Sequence, residues 1–495
     1  MSHKFMRLKN SIYQFPTTKL FAISILVCLF YLTILPFNEH IAFKMPYESH
    51  QATLVALCLK ILFLPFLFGI LYFIITFIQK IIQKDPFYIL WLKISLAYGL
   101  LMLFILIILY PGHWVGDEFD ILEAVRNYSL YSWQNYFTNI FYTFSLYLIP
   151  TGVGIVAIQL SIISLIIGYV TALSKNIFHN KRTYLILIVP FLAFPVLLNN
   201  FYPLRLTLFS YGLLLLVSFL LFLHLKVLSP VRPKLFFIFV AFIMSIICFW
   251  RSEGVLYLLT LPLFAYKLGL VQKSKLKDIS TYTTILIGLS LIGLAFSINK
   301  VTTSDKYQIT ATLNPISTMI QGDLRGKNIN QDLEALDKVV DLSIVKQYPS
   351  YDEIPSFWHG AVRDDYYLHL KGYNSHVYSI FANNLNSFLS NRMQTFLRTN
   401  SFGPAPALGL GQFYNPDPII IEKVNHFYAT NKLSRPLNPE LKLAITKRLL
   451  LVNNSYKPTL PAKLIWSVIP TLSGLIILLI ISGLKRKWII FTITI

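Results

Sequence analysis

PGHWVGDEFDILEAVRNYSLYSWQNYFTNIFYTFSLYLIP, residues 111–150, separates two long apolar segments and carries Asp117, Glu118, Asp120 and Glu123 close together. These acids stand out in a chain of 495 residues with 43 Lys+Arg against 22 Asp+Glu and a formal net charge of +21. What flanks the stretch decides the fold. The chain is 55% hydrophobic and only 13% charged, whereas soluble domains are about a quarter charged. Several runs reach about 18 residues almost without charge, enough for a helix to cross about 30 Å of hydrocarbon. The expected fold is an all-α polytopic membrane protein. The shorter alternating segments of a transmembrane barrel are not seen in the sequence.

Working outward, ten spans are expected near 20–37, 52–78, 91–110, 151–173, 184–199, 206–225, 235–250, 255–270, 281–298 and 463–484. The closing run, Trp488–Ile495, is too short to cross and reads as an eleventh helix that the sequence cuts. Residues 1–19 hold Lys4, Arg7, Lys9 and Lys19 without an acid, and the first apolar run lacks a small-residue cleavage pattern. It reads as a retained span rather than a signal peptide.

Placement of charge then sets the topology. If the N-terminus is cytoplasmic, the turns near 80–93, 175–182, 226–234, 267–277 and 485–487 are cytoplasmic too, and all are basic. The alternate turns are acidic or mixed, as the positive-inside rule requires. The positive charge is therefore topology information, and a nucleic-acid groove is not expected. This orientation puts 111–150 and 299–462 outside a cell membrane. It divides the chain into a transmembrane domain at 1–298, an extracytoplasmic domain of mixed or mainly helical structure at 299–462, and C-terminal span or spans at 463–495. Helical patterns recur in the outer region around Asp332–Val345 and Val377–Leu397. Cys28, Cys58 and Cys248 lie inside apolar segments as small hydrophobes, with no disulfide framework or metal motif.

The acidic stretch has helical periodicity through Phe119, Leu122 and Val125, then Leu130, Trp133 and Tyr136. Its aromatics suit a membrane interface. A carboxylate at such a boundary gains basicity and can act as a general base. Adjacent carboxylates point to different sides of a helix, so Asp117 is the expected base, with Glu118 orienting the acceptor or holding a metal. The bland alternative is a helix cap, since Asp117 precedes an apolar-periodic run. Arg205, Arg251 and Glu253 lie at span ends on the same side. An arginine there could pair with a phosphate and stabilise a departing oxyanion, or simply pair with Glu253 or snorkel. His113 and Trp114 read as an interfacial anchor, with His113 kept as a substrate-binding candidate. Lys60 is the one charge inside a span, expected to snorkel or face a cavity.

Three segments carry a family resemblance: YPGHWVGDEFDIL at 110–122, the 133–150 stretch from WQNYF to SLYLIP, and FWRSEGVLYLL at 249–259. They resemble the GT-C superfamily of membrane glycosyltransferases, which includes protein mannosyltransferases and aminoarabinose transferases, and within it an uncharacterised bacterial multi-pass branch. The resemblance implies an enzyme that takes a sugar from a polyprenyl-phosphate donor. It passes the sugar to a cell-surface glycan, lipid or protein acceptor on the outer face, inverting the anomeric centre. The loop aspartate, here Asp117, would be the base, with no cofactor beyond the lipid-linked donor and no metal required. The chain departs from the family in two places. Its acidic loop follows the third span rather than the first, and Leu204-Arg205 stand where many members place a second acid. Two other classes remain: an envelope polysaccharide polymerase or ligase, which usually relies on outer-loop arginines, and a lipid or solute transporter. A transporter would show paired inverted repeats and charged mid-membrane helices, whereas these spans are nearly uncharged at their centres.

Overall fold

The computed structural model of the chain describes residues 18–114, 117–129, 136–178, 182–225, 233–251, 288–294, 305–351, 354–399, 433–453 and 459–485, with isolated positions between them. The described chain is helical, with Val340 and Val362 forming an isolated antiparallel bridge. Two compact units form. One comprises residues 1–302, 416–449 and 475–495, the other 303–415 and 450–474.

The first unit opens with α1 (Thr18–Ala42), α2 (His50–Ile82) and α3 (Pro86–Ile108), each long and apolar enough to cross a bilayer. Local chemistry sets their starts. Ser49 caps α2 by accepting from the Ala52 amide, and Asp85 caps α3 by accepting from Phe87 while Pro86 fills the first turn. Next come α4 (Asp117–Arg126) and α5 (Tyr136–Leu148), both inside the 111–150 stretch. Two more long apolar helices follow, α6 (Gly152–Ser174) and, after a broken element, α8 (Arg205–His224); α9 (Pro233–Trp250) comes next.

The expected fifth span, 184–199, is not one helix. It is a 3-10 helix, Thr183–Leu192, joined at a 67° bend to α7 (Phe194–Asn200). Ala193 is extended at the break, Pro190 sits inside the first piece and Pro195 in the first turn of the second. Proline removes an amide donor and clashes with the preceding turn, which a hydropathy window cannot register. The expected tenth span is also interrupted, into Leu460–Ile465 and the apolar Ile469–Leu484, with Pro470 starting the second piece. The expected eighth and ninth spans lie outside the described residues but for a few positions.

The tightest helix pairing is between α3 and α6. Ser95 and Gly99 on α3 face Gly168 and Ser164 on α6, each pair four residues apart on one helix face. Small residues at this spacing let backbones approach where lipid supplies no hydrophobic drive. A Cβ built on Gly168 would lie 2.1 Å from Ser95 Oγ and 3.0 Å from the Trp91 carbonyl oxygen. At Gly99 the nearest atom would be Ser164 Oγ at 3.5 Å, an ordinary contact.

Lys60, expected to snorkel or face a cavity, is instead in an ion pair. Helix α1 runs past the expected end of the first span, so Glu39 falls in its last turns and is buried. Lys60 Nζ lies 2.7 Å from Glu39 Oε2. The other carboxylate oxygen, Oε1, accepts from Tyr47 at 2.6 Å and from Tyr128 at 2.7 Å. Asn38 donates to the Tyr147 carbonyl at 2.6 Å. The pair is thus surrounded by donors and ties α1 and α2 to the ends of α4 and α5.

The second unit packs α10 (Asp305–Met319), α11 (Ile329–Asp337), α12 (Tyr373–Asn383) and α13 (Leu385–Thr399) around Leu313, Leu336, Val339, Val345, Tyr373 and Val377. Buried Asp332 joins two of these helices, accepting from His376 Nδ1 and Ser379 Oγ, both at 2.8 Å.

The two glycines of the α3–α6 contact should respond differently. Gly168→Ala forces backbone displacement and is expected to cost about 1–3 kcal/mol. It should lower the thermal unfolding midpoint of detergent-purified protein. Gly99→Ala should leave the midpoint unchanged or raise it, since alanine favours helix. Equal loss in both variants would contradict this packing.

Candidate functional site

The acidic stretch is held at its entrance by a turn built on glycine. Gly112 has φ +99, and a Cβ there would lie 2.9 Å from both the Phe201 carbonyl oxygen and Val156 Cγ2. Only glycine accepts this conformation and approach without strain. The next amide, His113 N–H, donates to the Phe201 carbonyl at 2.9 Å. Trp114 Nε1 donates back to the Pro111 carbonyl at 3.1 Å, and its ring meets Phe119 and Tyr142.

Asp117, Glu118 and Asp120 occupy the first turn of α4, where the amide ends of the helix favour negative charge. The two adjacent carboxylates diverge, as helical geometry dictates. Glu118 points inward with 0% exposure, between Phe119 at 0% and the rest of the buried face, whereas Asp117 is only half-buried. Around Glu118 stand two phenols. Burial, then the charge of the neighbouring Glu118 carboxylate, holds the Tyr202 hydroxyl far above its usual range. Burial, followed by the charges of Glu118, Tyr202 and Asp117, raises Tyr142 likewise. Tyr142 donates its own proton to the Pro203 carbonyl at 2.8 Å. The structure therefore gathers Asp117, Glu118, Tyr142 and Tyr202 into one electrostatic cluster.

Tyr202 is presented by the turn that follows the broken element. Gln159 of α6 spreads its amide N–H groups over the carbonyls of Asn200 and Tyr202, 2.9 Å each. Thr207 donates to the Asn199 carbonyl at 3.1 Å, and Tyr211 to Asn200 Oδ1 at 3.1 Å. Beside this turn lies an open, mainly apolar cavity of about 460 Å³, lined by Pro190, Phe191, Asn199, Leu204, Thr207 and Tyr211 among others. The face of the turn holding Tyr202 thus meets the acids, while its neighbours Asn199 and Leu204 border an apolar groove.

The other expected residues are more scattered. His113 is 5% exposed. Burial, and secondarily the Lys442 charge, hold its imidazole well below the usual range, so it is neutral. Arg205 is the first residue of α8, three positions beyond Tyr202. Arg251 follows α9, its guanidinium 5.8 Å from the Phe209 ring centroid. Glu253 lies outside the described residues, as do Tyr131 and Trp133. Of the aromatic residues of α5, Tyr136, Phe137 and Phe141 are half-buried, and Tyr142, Phe144 and Tyr147 are buried inside the unit. Tyr142 and Tyr147 have no exposed surface, and Thr138 accepts from Trp250 Nε1 at 3.2 Å. A helix with polar partners on its inward face is held in the bundle rather than at its edge.

Two contributors carry no mark in the sequence. Tyr202 is one tyrosine among 29. Lys442, in the helix Pro439–Leu450, donates to the Gly112 carbonyl at 2.7 Å. Its one sequence signal is spacing: with Thr446 and Leu450, both buried, it shares a helix face at intervals of four. Among the described residues, no group of three or more His, Cys, Asp and Glu side chains converges as a metal site.

Tyr202→Phe should take a polar hydroxyl away from the surroundings of the buried Glu118 carboxylate, at a cost of about 1–3 kcal/mol. The measurement is a double-mutant cycle with Glu118→Gln, read by thermal unfolding. The two changes should be non-additive, with coupling of about 0.5–3 kcal/mol; strict additivity would separate the pair. Compared with protein-family models, curated proteins and solved structures, the chain gives no match.

Proposed function

We propose that the chain is a membrane glycosyltransferase. It moves a sugar from a polyprenyl-phosphate donor to an acceptor on the outer face of a cell membrane, with Asp117 as general base. The observation that carries this reading is the pairing of an acidic cluster with an apolar groove across one turn. Glu118 and Asp117 act on Tyr202, and the 460 Å³ cavity is lined by Asn199, Asn200 and Leu204 of the same turn. A lipid-linked sugar needs both environments at once, an apolar channel for the chain and a polar end for the transferred group.

The division of labour between the acids follows from their burial. Asp117 is half-buried, so an acceptor hydroxyl can reach it. The carboxylate takes the proton as the hydroxyl oxygen attacks the anomeric carbon, and the bond to the donor phosphate oxygen breaks on the opposite side, inverting the centre. Glu118 is fully buried, with the Tyr202 hydroxyl in its electrostatic reach. Its part is to fix the first turn of α4 and so aim Asp117. Arg251 and Arg205 remain the proposed cations for the departing phosphate. The five long apolar helices support a membrane setting for this reaction, and the outward orientation of the loop rests on the basic turns between spans.

The test supplies radiolabelled polyprenyl-phosphate sugars to membranes and counts label passed to endogenous acceptors. A positioned base contributes about 10²–10⁴-fold. Asp117→Asn should therefore reduce transfer by at least about 100-fold at unchanged protein level. Glu118→Gln should lower transfer less and also lower the unfolding midpoint. Unaltered transfer in both variants would make the acids helix caps. No transfer from any donor by wild type would favour the polymerase or transporter readings.

A further inference from the structure

The segment around the Pro439–Leu450 helix reaches both ends of the acidic stretch. At one end Leu433 is buried with its side chain over Gly152, close enough that a Cβ there would lie 2.5 Å from Leu433 Cδ1, with Trp114 the next neighbour. At the other end Lys442 Nζ donates to the carbonyl of Gly112 at 2.7 Å and to that of Tyr110 at 3.4 Å. These contacts place a cation on the turn from which His113, and four residues later Asp117, depart.

The surroundings of this ammonium are unusual for a lysine. It is part-buried, and among the described residues no carboxylate lies within ion-pair distance. Burial alone drives its pKa down to about 8. Two backbone carbonyls accept from it, at 2.7 and 3.4 Å. The adjacent His113 is held neutral, so it does not repel the ammonium and can itself accept or donate. A structural cap for the end of α3 would need only the carbonyl contacts. A part-buried cation beside a neutral imidazole, with no carboxylate against it among the described residues, is also suited to an anion that arrives with the ligand.

We propose that Lys442 is a substrate-binding residue of the acidic-loop site, its ammonium receiving the phosphate group of the ligand beside His113. This rests on the glycosyl-transfer reading, and it adds to the site a cation from the far end of the chain. A lysine acts on phosphate as a point charge, so its removal should weaken the preference for phosphate while leaving the apolar groove unaffected.

The experiment measures binding to the detergent-purified full-length chain with three probes: a polyprenyl phosphate, the polyprenol of equal length, and inorganic phosphate. Wild type is expected to bind the polyprenyl phosphate at least about tenfold more tightly than the polyprenol. Lys442→Met should lower that difference by at least about fivefold, what is left falling to Arg205 and Arg251, with polyprenol affinity unchanged, and Lys442→Arg should retain most of it. Displacement of the lipid phosphate by millimolar inorganic phosphate would support a site that takes the free anion as well. Failure to displace it, with the preference intact, would support recognition of the lipid headgroup. A Lys442→Met protein that keeps the full preference overturns the assignment and leaves the glycosyl-transfer reading standing. A wild type that binds phosphate and alcohol equally overturns both. If Lys442→Met does not fold, Lys442→Gln takes its place against wild type, with the same loss of preference expected.

Discussion

The close approach of α3 and α6 is the constraint from which the rest of the first unit follows. Where Gly168 lies against Ser95, the two backbones are too near to admit a side chain. One helix delivers the chain to the acidic stretch and the other receives it, so both ends of that stretch are fixed by a single contact. The same helix α6 carries Gln159, which holds the turn presenting Tyr202, and Val156, which closes over Gly112. A rigid pair of helices thereby positions a loop, a common basis for building sites from short polar segments.

Around that frame the unit solves one electrostatic problem twice. A carboxylate withdrawn from water is costly unless donors surround it. Glu39 answers with a lysine and two tyrosines, which join two helices, the loop between them and the turn after α4. Glu118 sits amid phenols and the first turn of a helix, with a second acid beside it at partial exposure. The first arrangement is saturated by positive charge and holds elements together. The second concentrates negative charge at a place a ligand can approach, and that difference separates a structural pair from a candidate site.

Much of the fold was legible in the sequence because a membrane imposes length and polarity on each crossing. The runs beginning near 20, 52, 91, 151 and 206 became long apolar helices with caps at Ser49, Asp85 and Thr151. The acidic stretch was legible as helical, and Asp117 and Glu118 as adjacent groups facing different ways. What escaped was whatever depended on a bend or on distant partners. Hydropathy does not distinguish a straight span from one turned by 67° at Ala193. It does not pair Lys60 with Glu39, because that contact exists only once α1 is seen to run beyond its expected end. Tyr202 meets Glu118 from 84 residues away and Lys442 meets Gly112 from 330 residues away. No local pattern encodes such distances.

The bond from Lys442 to Gly112 also has a meaning in time. A chain made from its N-terminus at roughly 5–20 residues per second leaves the ribosome with residues 110–150 long before residue 442 exists. The 330 intervening residues correspond to a delay of roughly 15–70 s at that rate. Through that interval the turn at Tyr110–Gly112 lacks its ammonium, and Gly152 lacks the Leu433 side chain that covers it. The acid cluster itself is complete once Tyr202 is made, but its flanking turns are braced only later, so a chain truncated before Leu433 would carry the cluster without these supports.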